Sequence, residues 1–216
     1  MKLFVFEHCP FCIKAMMTAN LKKIDIELVY LQNHDVEARI EKVGANMVPI
    51  LQKPDGSYMA ESLDIVDFMD NFDDNPSITP STKQAQIEEW KKSVKSVEGP
   101  LVYPRWLKIV LPEFGSDDAK AWYEKNKSAL IGMSFNEAIS KTDSLLSEMN
   151  LALTQIDWLT LPSEKNNQLS YDDINFYPML RNLTVIKGIR FPEKIQQYID
   201  EVTALTNIPV YYDVAV

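Results

Sequence analysis

The sequence predicts a two-part fold: an α/β domain over residues 1–73, a linker over 74–82 and an all-α domain over 83–216. Three observations carry this. Up to Phe72, short apolar runs alternate with stretches of helical period. A polar tract with two prolines, Pro76 and Pro80, then breaks the pattern. Beyond it the apolar repeats have the helical period and strand patterns vanish.

Taken in order, residues 3–6 (Leu-Phe-Val-Phe) read as a buried strand. Pro10 opens a helix whose apolar positions are Ile13, Met16, Met17, Leu21 and Ile24. Residues 26–31 have strand composition, 35–42 a short polar helix, and 48–52 another strand. Asp55-Gly56 is a hairpin turn leading into a strand at 57–59. Ile65, Phe68, Met69 and Phe72 recur at i, i+3, i+4 and i+7, an amphipathic helix. The order β-α-β-α-β-β-α implies a parallel pair followed by an antiparallel edge.

The second half reads as helices at 84–110, bent at Gly99-Pro100 and Pro104, and at 116–127. One long amphipathic helix is expected from Phe135 to Ile156. Ser170 and Asp173 form a capping-box pair, with Asp in place of the usual Glu. The helix they open is apolar almost all round to Ile186, so it belongs in the core, and Pro178 lies inside it. Pro192 precedes the last helix.

Composition narrows the function. The chain has 46% hydrophobic and 25% charged residues, ordinary for a soluble globular protein. Its net charge is −9 with both halves acidic and no basic stripe, which disfavours nucleic acid as a partner. No apolar run reaches the ~18 residues of a membrane helix, and no secretory signal pattern opens the chain. The expectation is a cytoplasmic protein with no membrane partner.

The only two cysteines, Cys9 and Cys12, lie three apart at a strand-to-helix junction, within His8-Cys9-Pro10-Phe11-Cys12. Cys9 falls at the N-cap and Pro10 at N1, where a missing N–H costs nothing. A sulfur there can accept from the free N–H groups of the first turn and meets the positive end of the helix dipole. Both effects favour the thiolate, which is the nucleophile. Lys14 is close enough in sequence to assist. Cys12, one turn deeper, suits a resolving thiol. The rival readings are a buried packing pair and a zinc site. Zinc needs about four ligands, and His8 and His34 are the only histidines, so no metal is expected. Neither histidine is needed as a base; each reads as a surface or junction residue.

With these residues in place the chain resembles the thioredoxin fold, and more narrowly the glutaredoxins, through its Cys-Pro-Phe-Cys motif. Val48-Pro49 opens a strand where thioredoxin-like folds carry a cis-proline. Glu61-Ser62 opens the last helix of the domain, where glutathione-binding relatives hold the γ-glutamyl group. The Ser170/Asp173 pair opens a buried helix as in the helical domain of glutathione transferases. An α/β thioredoxin-fold N-terminal domain with an all-α glutathione transferase-like C-terminal domain resembles the bacterial glutaredoxin 2 family.

The resemblance implies a glutathione-dependent thiol–disulfide oxidoreductase with Cys9 and Cys12 catalytic. It implies a glutathione site of Phe11, Val48, Pro49, Glu61 and Ser62. The Val48 backbone would pair with the cysteinyl unit, Ser62 would take the γ-glutamyl carboxylate and Glu61 its ammonium. Lys14, Arg39 and Lys42 are the candidate cations for the glycyl carboxylate. No bound cofactor is implied; glutathione is the co-substrate, the clients are disulfide-containing or glutathionylated proteins, and the chain is expected to be a monomer. Two other readings share this plan. One is an omega-like glutathione transferase or dehydroascorbate reductase. The other is a membrane-inserting, channel-like relative, which Lys14, Lys22, Lys23 and Asp25 oppose because charge in that segment makes insertion costly.

Overall fold

The computed structural model describes all residues, 1–216. The elements run β1 (Lys2–Val5), α1 (Pro10–Leu21), β2 (Glu27–Tyr30), α2 (Val36–Val43), β3 (Ile50–Gln52), β4 (Tyr58–Met59) and α3 (Ser62–Asp70). The helices α4 (Gln84–Trp106), α5 (Asp117–Ile131), α6 (Phe135–Ser140), α7 (Thr142–Leu153), α8 (Tyr171–Leu183) and α9 (Glu193–Thr206) follow. The α/β half precedes the all-α half, as expected. The packing is less linear. One compact unit comprises Met1–Ser77, Val110–Tyr123 and Thr206–Ile208, and the other Ile78–Ile109, Glu124–Leu205 and Pro209–Val216.

The first unit holds a four-stranded sheet in the order β2-β1-β3-β4. β1 and β2 are parallel, with Val5 facing Tyr30. β1 and β3 are antiparallel, with Phe4 facing Ile50, and β4 runs antiparallel to β3, with Met59 facing Leu51. The Asp55-Gly56 turn forms as expected, with Gly56 at φ 85°, a conformation glycine adopts without a Cβ penalty. Helices α1 and α3 pack on one another. Leu3, Val5, Ile13, Met17, Ile50, Leu51, Ile65 and Met69 have no exposed surface. Each such side chain contributes about 1.5–3 kcal/mol through burial, so this small sheet carries a real core.

In the second unit α4 packs against α6, α7 and α8. It runs unbroken through Pro100 and Pro104. A Cβ on Gly99 would come within 3.0 Å of both Ile131 and Tyr103, so glycine permits that close approach. The single helix expected over 135–156 is two, α6 and α7. At Lys141 the N–H is shared between the Glu137 and Ala138 carbonyls, which tightens and ends α6. The apolar period runs on across this break, so the pattern did not reveal it. Helix α8 ends at Leu183, three residues before the expected end, where the Thr184 hydroxyl donates to the Arg181 carbonyl at 2.6 Å.

The expected linker is also partly structured. The Thr79 N–H donates to the Leu169 carbonyl at 3.0 Å, and the Tyr171 N–H donates to the Thr79 carbonyl at 2.9 Å. Asp172, in the first turn of α8, accepts from the Ser81 hydroxyl and from the Thr82 and Lys83 N–H groups. That carboxylate satisfies backbone donors just ahead of α4, so residues 79–83 are held rather than loose. No helix is long and apolar enough to cross a membrane.

Candidate active site

Strand register gathers the expected site residues. Cys9 follows the C-terminal end of β1. Because β3 is antiparallel and begins opposite Phe4, the residues just before it, Val48 and Pro49, lie at that same end. Strand β4 runs back against β3, so the chain leaves it there too, at Glu61-Ser62. The first turns of α1 and α3 thus open at one edge of the sheet.

Cys9 is the N-cap of α1, with an extended backbone, and Pro10 is at N1, as the sequence predicts. The Cys9 carbonyl accepts the first helical bond, from the Ile13 N–H at 3.1 Å. The expected sulfur cap is not formed: the Cys9 side chain makes no capping hydrogen bond. Its sulfur is engaged instead with the Cys12 side chain. Both cysteines are reduced. Cys9 keeps 9% of its surface and Cys12 none, so solvent reaches only the first. The Cys12 sulfur accepts from the Phe6 N–H at 3.4 Å. Burial, and next the Cys9 sulfur, push the Cys12 thiol well above its usual range; the Phe6 N–H opposes them, and the Glu113 charge adds to them. Cys12 is therefore a sheltered thiol whose surroundings favour its protonated form, beside a mostly buried one that keeps a little exposed surface.

Val48-Pro49 is a cis peptide. Val48 is half-buried and Pro49 buried, and the β3 ladders begin only at Ile50, so Val48 takes no part in them. Glu61 is exposed and sits at φ 68°, a left-handed conformation that costs a non-glycine residue about 1–3 kcal/mol. Such outliers concentrate at binding sites. Ser62 is the first residue of α3 and is buried, while Phe11 is 55% exposed. The candidate cations are differently placed. Arg39 is 1% exposed, and its guanidinium donates to Asn46 Oδ1 and to the Gln32 and Asn33 carbonyls, so it is committed to loop structure. Lys42 lies over the Phe4 and Tyr58 rings. Lys14 is buried, with its Nζ 5.3 Å from the centre of the Phe11 ring.

His8 is a junction residue, one of the two placements expected for it, and is 7% exposed. Its N–H donates to Glu113 Oε1 at 3.1 Å, and its Nδ1 lies 2.5 Å from the same oxygen. Glu113 has no exposed surface. Burial pushes its carboxyl up, but the hydrogen bond and charge of His8 outweigh burial and hold it below the usual range. Sequence reasoning missed Glu113 altogether, since it stands 105 residues from its partner within an unremarked Leu-Pro-Glu-Phe stretch. No group of three or more His, Cys, Asp or Glu side chains is arranged to hold a metal ion.

Comparison with known proteins shows the family of the chain. The family model "Glutaredoxin 2, C terminal domain" matches residues 86–215, and "Glutathione S-transferase, N-terminal domain" matches residues 3–77. Glutaredoxin 2 of Escherichia coli K12 is 38% identical over 217 residues, covering 100% of both chains. Among solved structures, glutaredoxin 2 from Salmonella typhimurium in complex with glutathione superposes with a TM-score of 0.92 at 38% identity, covering 100% of this chain and 98% of that one. A glutathione S-transferase of Ceriporiopsis subvermispora shares the fold at 13% identity, with a TM-score of 0.71 and 97% of each chain covered. The α/β half is thus thioredoxin-like and the helical half glutathione transferase-like.

Proposed function

This chain belongs to the glutaredoxin 2 family, a glutaredoxin-type enzyme, and we propose that it reduces protein disulfides and glutathione mixed disulfides through Cys9 and Cys12. The observation that carries the proposal is the pairing of Cys9, which starts a helix and keeps 9% of its surface, with a fully buried thiol one turn on. In the monothiol route the Cys9 thiolate attacks the glutathionyl sulfur of a mixed disulfide. The client leaves as a thiolate and takes a proton, and Cys9 carries glutathione. A glutathione thiolate then attacks that sulfur, releasing glutathione disulfide and regenerating the Cys9 thiolate. In the dithiol route the Cys9 thiolate attacks a protein disulfide and releases one client sulfur as a thiolate, which takes a proton. Cys12 then attacks Cys9, its proton passing to the second client sulfur as that leaves, and two glutathiones reduce the Cys9–Cys12 disulfide, departing as glutathione disulfide.

The glutathione site is assigned to Phe11, Val48, Pro49, Glu61 and Ser62. Their common edge of the sheet supports this, as does the bound glutathione in the Salmonella relative. Val48, outside the ladder, offers its N–H and carbonyl to the cysteinyl backbone. Ser62, at the start of α3, suits the γ-glutamyl carboxylate, and exposed Glu61 suits its ammonium. Arg39 is committed to loop carbonyls, and the cations proposed for the glycyl carboxylate are Lys14 and Lys42. The proposed setting is a cytoplasmic monomer whose clients are disulfide-containing or glutathionylated proteins.

Two assays test this against the transferase reading. Glutathione-coupled turnover of a small mixed disulfide should be fast, and conjugation of chlorodinitrobenzene slow or absent. Robust conjugation without mixed-disulfide turnover would favour the transferase.

A further inference from the structure

The reading above leaves the buried Glu113 without a task. One oxygen, Oε1, serves both His8 groups; the other, Oε2, is buried with no hydrogen-bond partner. Replacing such a buried pair by well-packed apolar side chains often costs nothing in stability, so packing alone gives no reason to keep it. An unsatisfied buried oxygen calls for a reason of another kind.

What Glu113 holds is specific. His8 lies in the tight turn that ends β1 and delivers Cys9, and the Cys9 N–H closes that turn on the Phe6 carbonyl at 3.3 Å. The neighbouring His8 N–H points to Glu113. The imidazole is fixed as well, stacked on Phe114 at 5.3 Å and Phe6 at 6.0 Å between ring centres. The support continues behind Glu113. The Asn33 N–H donates to the Glu113 carbonyl at 2.9 Å, and the Gln32 side-chain amide donates to the Pro112 carbonyl at 2.9 Å. Arg39 in turn holds the Gln32 and Asn33 carbonyls.

We propose that Glu113 is a positioning residue for thiol–disulfide exchange, acting through His8 to fix the turn that aims the Cys9 sulfur. The proposal rests on the reading of Cys9 as the attacking sulfur. That attack needs the incoming sulfur in line with the breaking S–S bond, so a small error in the turn is felt in turnover rather than in glutathione binding.

The test is steady-state turnover of a glutathione mixed disulfide by the full chain. Glu113→Met keeps the volume and removes both acceptors, while Glu113→Gln keeps an acceptor for His8. In Glu113→Met, kcat should fall about 10- to 100-fold, with the KM for glutathione within about twofold of wild type. Glu113→Gln should recover most of that loss. An unchanged kcat in folded Glu113→Met, or equal losses in both variants, would overturn the proposal. Should Glu113→Met not fold, His8→Phe decides. It keeps the ring stack and the backbone N–H but loses Nδ1. A several-fold lower kcat at unchanged KM supports the proposal, and an unchanged kcat overturns it. A wild-type chain with no mixed-disulfide turnover would sink the reading of Cys9 and this proposal with it.

Discussion

Asp173→Ala should destabilise the protein far more than loss of an ordinary helix cap. The Asp173 carboxylate accepts from the Ser170 N–H at 2.7 Å, the Ser170 hydroxyl at 2.8 Å, Lys165 Nζ at 2.7 Å and the Tyr198 hydroxyl at 2.9 Å. Asp173 is 2% exposed and Tyr198 has no exposed surface, whereas Lys165 is partly exposed and can turn to water. Truncation therefore strands three buried donors, the Ser170 N–H and hydroxyl and the Tyr198 hydroxyl, each costing roughly 1–3 kcal/mol, and removes a partly buried ion pair. Near the low end of each, the sum is about 3–5 kcal/mol, comparable to breaking a buried pair. For a chain of this size that lowers Tm by roughly 6–20 °C. Asp173→Asn keeps the shape and one acceptor oxygen and should lose less. Thermal unfolding by circular dichroism, with mixed-disulfide turnover checked where both variants stay folded, measures this. A Tm within a degree or two of wild type for Asp173→Ala would refute the reasoning.

Ser62→Ala should weaken glutathione binding by loss of a charge-assisted hydrogen bond, about 1.5–3 kcal/mol, seen as a roughly tenfold to hundredfold rise in apparent KM. Alkylation of Cys9 by a small reagent should stay near wild type; a parallel fall in both would make Ser62 structural. Iodoacetamide added to the native reduced protein at neutral pH should label Cys9 alone, because Cys12 is buried and protonated, and a second adduct by intact mass would contradict this. Burial pushes the Glu98 carboxyl from 4.5 up to about 7. The folded state then keeps a proton that the unfolded chain releases, so this group's contribution to stability falls as pH rises between those values and levels off above. Glu98→Gln should flatten that dependence in urea unfolding; an unaltered slope would count against it.

The parts legible in the sequence were local. Pro10 at N1, the Asp55-Gly56 turn and the Ser170/Asp173 pair each lie within a few residues of what they organise, so their residue types suffice. The cis Val48-Pro49 peptide and the Glu61-Ser62 helix start were legible through the glutaredoxin pattern, and the register then supplied their common edge. What stayed hidden depends on distant pairing. Nothing near Glu113 signals that it will meet His8, and nothing near Asp172 signals that it will anchor the residues ahead of α4. Arg39 looked like a free cation because its partners are mostly backbone carbonyls, which leave no mark in composition. Cys9 was expected to cap α1 with its sulfur; the second thiol one turn away takes that sulfur instead.

The division of labour between the two sulfurs is tested most directly by replacing each in turn. Cys9→Ser and Cys12→Ser are assayed for glutathione-coupled turnover of a mixed disulfide, with intact mass read on the resting protein. Cys9→Ser should be inactive and carry no glutathione, since the remaining thiol is buried. Cys12→Ser should turn over, because glutathione itself resolves the intermediate, and should trap a single glutathionyl adduct on Cys9 when glutathione is withheld. An active Cys9→Ser alongside an inactive Cys12→Ser, or an adduct mapped to Cys12, would contradict the account.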